Sequence, residues 1–286
     1  MIENYLLAEL VAFSENKTLA KTAAKLKITQ PTVTRGMQKL ESELNVKLFD
    51  RQPNKITLTK TGNLAARKAK QLLNANQEFV TQVKNFALTQ QTIMVGSTAP
   101  GPLVVANRLA KYFDLKIDRT FVQPRDIVKD LQTNQHTFCF TNHETQTDQV
   151  ESLYVGIEHL YVNLDQFMFL ASKRAISFKE LQGLSFIVLN DIGPWKQIIQ
   201  DHIPNAKFLY QAEQDALTEI TRYSNFPYFS TNMTAHKPLN DRITIPINDA
   251  AATMPFYISY LKTQRKRLQP VFKKLITLWP AESKRS

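Results

Sequence analysis

Apolar residues recur at helical spacing from the start of the chain. Leu6, Leu7, Leu10, Val11 and Phe13 predict an amphipathic helix over 3–15. Thr18 suits the N-cap of a second, short helix, in which Ala23 and Ala24 let a neighbouring helix approach closely. After a break at Lys27-Ile28, Thr29 offers another cap and Pro31 is tolerated in a first turn, so a third helix is predicted over 30–44. Its apolar residues Val33, Met37, Leu40 and Leu44 form one narrow stripe. Arg35, Gln38 and Lys39 lie on the other side, with Thr32 and Thr34 at its edges. The pattern then switches. Val46–Arg51 leads through the turn signal Pro53-Asn54 to Lys55 and the alternating Ile56-Thr57-Leu58-Thr59, which predicts a β-hairpin bearing Arg51 and Lys55.

From Thr61 to about Leu88 there is no proline, and Gly62 is the only glycine. Ala65, Ala69, Leu72, Asn76, Phe79, Val83 and Phe86 alternate steps of four and three, a heptad seam. Such a helix is roughly 40 Å long at 1.5 Å per residue, too long for a small head to cover. A second copy of the chain is the natural partner for the seam; packing on the chain itself is the alternative. Asn76 within the seam is the kind of buried polar residue that sets register and oligomer state.

Beyond Gln90, strand-like runs at Ile93–Val95, Ile117–Val122, Phe138–Thr141, Leu153–Ile157, Phe167–Ala171, Phe186–Leu189, Phe208–Tyr210 and Ile243–Ile247 alternate with helical stretches. These fall at about 102–112, 124–132, 194–202, 213–223 and 263–278. That order predicts an α/β region with largely parallel sheets. Ligands bind at the carboxyl ends of strands in such sheets. Ser97 and Thr98, just before a helix, and Thr141 and Asn142, after another strand, are therefore candidate effector-binding residues; turn and capping roles are the alternative.

Charge sharpens the picture at the N-terminus. Residues 1–90 hold fourteen Lys/Arg and seven Asp/Glu, so +7 of the net +11 lies in the first third. A concentrated cationic segment suits a polyanion such as nucleic acid. The single Cys139, in an apolar run, excludes an internal disulfide framework and reads as a buried, inert thiol. No stretch approaches the roughly 18 apolar residues of a membrane span. The N-terminus carries Glu3 and Glu9 where a secretory leader wants basic residues. A cytoplasmic protein is expected.

The outward side chains of the third helix are of the types that read DNA. Arg donates twice to guanine, and Gln pairs with adenine in the major groove. Three short helices followed by a basic hairpin form a compact DNA-reading unit. The run from Leu19 to Thr34, with Leu40-Glu41, Leu44, Leu48-Phe49, Arg51, Leu58-Thr59 and Gly62, resembles the signature of LysR-type transcriptional regulators over residues 1–62. The resemblance implies that the helix after Gln30-Pro31 is the recognition helix and that the wing after Phe49 touches the DNA backbone. It also implies a pairing linker helix. Two departures stand out: Asn45 replaces a common glycine, and Gly36 replaces a larger polar residue in the recognition helix. Close backbone approach to DNA would account for Gly36, as would drift. The C-terminal region resembles the family's effector domain more faintly, through Gly96-Ser97-Thr98 and the order of elements.

The expected fold is an N-terminal all-α winged helix-turn-helix plus a long linker helix, then a C-terminal α/β two-lobed effector domain resembling periplasmic binding proteins. Its divisions are 1–60, 61–89 and 90–286, with lobe one at 92–160 and 263–286 and lobe two at 161–262. The expected function is regulation of transcription by a homodimer or homotetramer on double-stranded DNA. Gln30, Thr32, Thr34, Arg35, Gln38, Lys39, Arg51 and Lys55 would contact DNA, and a small-molecule effector, with a carboxylate or other anion as one candidate class, would control it. No cofactor and no membrane association are expected. An enzyme is the main rival, but His136, His143, His159, His202 and His236 form no HExxH pair, and G-x-S-x-G, P-loop and dinucleotide motifs are absent. An RNA-binding protein lacks support because no aromatic residue lies on the outward face of the third helix. A sensor whose head has lost DNA binding is a third alternative.

Overall fold

The computed structural model describes residues 1–52, 55–234 and 241–280. The turn at Pro53-Asn54 and His236 therefore lie outside the described residues. The chain divides into two units, 1–84 and 85–286.

In the first unit, helices α1 (Asn4–Asn16), α2 (Leu19–Leu26) and α3 (Gln30–Leu44) are followed by strands β1 (Phe49–Gln52) and β2 (Lys55–Leu58), and then by the start of α4 (Lys60–Gln91). Thr18 and Thr29 accept from the third backbone N–H beyond them, as N-caps do. Lys27 and Asn45 end α2 and α3 in the left-handed conformation, which makes Asn45 a working substitute for glycine. The strands pair antiparallel from Phe49↔Leu58 to Gln52↔Lys55. Leu6, Leu10, Phe13, Val33, Met37, Leu40, Leu48 and Phe49 form the core with Ala66 and Ala69 of α4. Each large apolar side chain buried there contributes about 1.5–3 kcal/mol. Three of the four stripe residues of α3 are thus its inner face; Leu44 remains partly exposed.

The second unit contains β3 (Ile93–Ser97), α5 (Pro100–Leu109), β4 (Leu115–Ile117), α6 (Ile127–Gln132), β5 (Phe138–Thr141), β6 (Val150–Asp165), β7 (Ser185–Leu189), α7 (Trp195–His202), β8 (Lys207–Gln211), α8 (Gln214–Tyr223), β9 (Tyr228–Thr231), β10 (Arg242–Pro246), β11 (Thr253–Leu261) and α9 (Arg265–Leu278). The 16-residue strand β6 is shared by two groups of strands. Val150–His159 pairs with β11 in the order β4-β3-β5-β11-β6, and Leu160–Asp165 pairs with β9 and β10, with β7 and β8 beyond β9. One apolar core runs through both groups.

Four sequence expectations change here. The run Ile117–Val122 is not a strand beyond Ile117, where β4 ends. The sheets are mixed rather than largely parallel: β3, β4 and β5 run parallel, as do β7, β8 and β9, but β6 and β11 run antiparallel to their neighbours. β11 pairs with β5, so Thr253–Leu261 belongs with the first group, whereas the sequence division gave 161–262 to lobe two. Phe167–Ala171 is not a strand. The Asp165 carboxylate and carbonyl accept from Phe167 and Met168 N–H, which turns the chain out of β6, and Phe169–Ser172 forms a 3-10 turn. Among the described residues, no helix is long and apolar enough to cross a membrane.

Candidate nucleic-acid interface and ligand cavity

The side chains that face outward on α3 do so because the stripe behind them is locked. Gln30, Thr32, Arg35, Gln38 and Lys39 are exposed, and Thr34 is half-buried, donating to the Gln30 carbonyl at 3.1 Å. Thr32 shares a 2.8 Å hydroxyl contact with Thr29. Among the described residues, Arg35 and Gln38 make no hydrogen bond or ion pair, so their polar ends are open to an incoming partner.

The other cations divide. Lys39 sits 2.6 Å from Glu3 and 3.2 Å from the Tyr5 hydroxyl, and the bonds of Lys39 and Tyr5 to Glu3 hold its carboxyl below the usual range. Arg51 pairs with Glu41 at 2.8 Å. Burial would raise the Glu41 pKa, but Phe49 N–H, Leu48 N–H and Arg51 outweigh it and keep the carboxyl low. Glu41 therefore ties the end of α3 to the base of the wing. The Lys39–Glu3 pair is accessible and costs little to exchange for another anion, whereas Arg51 is half-exposed on a largely buried Glu41. Lys55 makes no such pair among the described residues. With Gln30, Gln52, Lys17 and Thr18 it lines an open groove of about 890 Å³ between α2, α3 and the wing. Lys17 and Gln52 were not singled out from sequence; Lys17 ends α1 in the left-handed conformation.

Gly36 faces inward. A Cβ built there would stand 1.7 Å from Oε2 of Glu9, whose buried carboxyl is pushed above its ordinary pKa by desolvation. The glycine thus makes room for Glu9 of α1, so neither drift nor contact with DNA is needed to explain it.

In the second unit, Ser97 and Thr141 end the adjacent parallel strands β3 and β5. Ser97 Oγ donates to the Ala99 carbonyl at 2.6 Å. Thr141 Oγ1 donates to the His143 carbonyl at 2.8 Å and contacts Ser259 Oγ at 3.1 Å. Asn142 Oδ1 meets His143 Nδ1 at 3.3 Å. Thr98 Oγ1 is buried and makes no hydrogen bond. The four candidates therefore gather at one edge, with Ser97 and Thr141 engaged internally. Beside them lies a cavity of about 370 Å³, walled by the start of α5, by β6, β7 and β9, and by α7 and α8. None of the four lines it. Glu158, Trp195, Tyr228 and Asp191 do, and sequence periodicity marked none of these. Glu158 is almost fully buried. Desolvation raises its pKa to about 7, with Thr231 and Trp195 opposing the rise. Cys139 is buried as well, and its thiol is pushed up by desolvation.

A three-helix head with a two-stranded wing, joined through a long helix to a mixed α/β unit, defines the class of winged helix-turn-helix proteins with an α/β C-terminal domain. Residues 6–63 match the family described as "Bacterial regulatory helix-turn-helix protein, lysR family", so the head is similar to the DNA-binding domain of that family. It is 22% identical over 183 residues to the uncharacterized HTH-type transcriptional regulator YbhD of Escherichia coli (strain K12), covering 62% of this chain and 58% of that protein. It is 24% identical over 195 residues to the hydrogen peroxide-inducible genes activator of Haemophilus influenzae, covering 65% and 64% respectively. The alignments thus span about three fifths of these curated relatives. Vibrio fischeri DarR, solved in complex with DNA, shares the fold with a TM-score of 0.57 at 15% identity, over 97% of this chain and 98% of that one.

Proposed function

We propose that this chain is a sequence-specific DNA-binding transcription regulator controlled by a small-molecule effector. The observation that carries the reading is the exposed, unpaired Arg35 and Gln38 on a helix whose opposite stripe is buried. Arg35, Thr32, Thr34 and Gln38 read bases in the major groove, and Gln30 lies at the start of the same helix. Lys39, Arg51 and Lys55 meet phosphates, Lys39 and Arg51 exchanging Glu3 and Glu41 for them. The family, the DarR–DNA complex and the concentration of positive charge in the first third support this reading.

The functional divisions are a DNA-binding head over 1–60, a pairing helix over 61–89 and an effector domain over 90–286. The chain acts as a homodimer or homotetramer. Ala69 of the seam is covered by the head, but Leu72, Phe79, Val83 and Phe86 are exposed at 56%, 65%, 54% and 52%, a large apolar stripe left bare by the described residues. The effector acts at the strand edge of Ser97, Thr98, Thr141 and Asn142 and in the adjoining cavity. It shifts the balance between two arrangements of the paired chains and so changes the spacing of their heads. A relative named as an activator of hydrogen peroxide-inducible genes supports input of this kind. The chain works in the cytoplasm, where its DNA is.

Sites selected from random DNA by the purified protein test the reading. Arg35→Ala should cost about 1–3 kcal/mol on the selected site and little on unrelated DNA. Equal loss on both removes Arg35 from base reading. Failure to enrich any sequence refutes the function.

A further inference from the structure

The floor of the 370 Å³ cavity is a carboxyl where an anion-binding site would have none. Glu158 lies on β6 and its carboxyl packs against Gly101, in the first turn of α5. A Cβ at Gly101 would fall 2.1–2.6 Å from its Oε1, Cδ and Oε2. Only a glycine leaves this space. The amino end of α5 is the place where a bound carboxylate would be stabilised, and the chain's own carboxyl already occupies it.

The rest of the wall points the same way. Among the described residues that line the cavity, Glu158 and Asp191 are the charged ones, and there is no Lys, Arg or His. Among the described lining residues, an anionic ligand would meet carboxyls and no cation. The remaining wall is chiefly apolar and aromatic, with Leu160, Ile187 and Leu217 beside Trp195 and Tyr228 among its lining residues. Two polar atoms on this wall, Glu158 Oε2 and Trp195 Nε1, are buried without a hydrogen bond of good geometry, though the indole N–H and Thr231 lie near enough to hold the Glu158 pKa down. One accepts and the other donates. Buried groups of this kind are rare and costly unless something completes them.

We propose that the cavity takes a small organic cation, a primary ammonium carried on an apolar or aromatic body, with Glu158 as its counter-ion. This rests on the reading of the cavity as an effector site and names the class of ligand for it. The ammonium donates to Glu158 Oε2, and its charge is balanced by the ionised carboxylate as the pair forms. The face of Trp195 adds attraction for the same cation. A ligand oxygen next to the ammonium accepts from Trp195 Nε1. The cavity volume lies at the lower end of small-molecule sites, so a ligand with one ring and a short chain is the right size.

Binding of three probes with a common phenyl body to the full-length protein tests this: phenethylamine, 2-phenylethanol and 3-phenylpropionate, each followed by calorimetry. Phenethylamine should bind the wild type at least about tenfold more tightly than 3-phenylpropionate does. Glu158→Gln, which keeps shape and folding, should weaken the amine by about tenfold or more while leaving the alcohol nearly unchanged. Preference for 3-phenylpropionate, or an amine affinity untouched by Glu158→Gln, overturns the ligand class and leaves an effector cavity standing. Binding of none of the three up to millimolar concentration overturns the cavity as an effector site along with it.

Discussion

Glu158→Gln keeps the size of the side chain and deletes its titration, which makes its effect on stability calculable. In the folded chain, burial raises the Glu158 pKa from 4.5 to about 7. A carboxyl that holds its proton more tightly when folded stabilises the fold at low pH. That contribution is fully present below the unfolded value of 4.5 and is lost as pH rises towards 7. The shift corresponds to on the order of 3 kcal/mol. Above the folded pKa the protein carries the cost of a charge held out of water; the Gln variant does not. The two proteins should therefore be nearly equal in stability at pH 4.5. By pH 8 the variant should be the more stable by roughly 3 kcal/mol, with most of the divergence between those limits. Urea unfolding followed by tryptophan fluorescence is the assay, because both tryptophans, Trp195 and Trp279, lie in the second unit. Carboxyls elsewhere, such as the ion-paired Glu180, titrate in both proteins and cancel in the difference. A difference that stays flat with pH, or a wild type that gains on the variant as pH rises, would refute the argument from desolvation.

Lys55→Ala should weaken binding to all DNA sequences alike and reduce the salt slope by about one, measured by fluorescence anisotropy at several ionic strengths. Leu72→Glu places a charge in the exposed stripe of α4 and should give a monomer by light scattering; an unchanged mass would remove the seam from the pairing interface. Gly36→Gln drives a side chain into Glu9 and should destabilise the head by about 1–3 kcal/mol in a circular-dichroism melt, after any gain in helix propensity. Adding Glu9→Ala should recover most of that loss, and no recovery would mean that another contact of Gly36 matters more.

How much could be seen in advance depended on how local the cause was. The faces of α3 follow from spacing within fifteen residues, and the caps at Thr18 and Thr29 from a side chain three residues away, so both were legible. The α4 seam was legible as a pattern but only partly as a surface. Which of its residues meet the head depends on packing, and Ala69 went to the head while Leu72 to Phe86 stayed bare. Phe167–Ala171 has strand composition, but the Asp165 carboxylate offered its backbone a competing partner. Strand β11 carries no local sign of its place between β5 and β6, because pairing is decided by residues about a hundred positions away.

The sequence by itself determined a cationic helix-turn-helix head, a long apolar-striped helix and an α/β remainder, because periodicity and capping act between neighbours along the chain. Only the tertiary structure decided that Gly36 accommodates Glu9, that Lys39 and Arg51 begin in ion pairs, and that Glu158 meets Gly101 and Trp195 at the floor of one cavity. Those facts depend on desolvation and close approach between segments far apart in the chain, and folding alone brings such segments together.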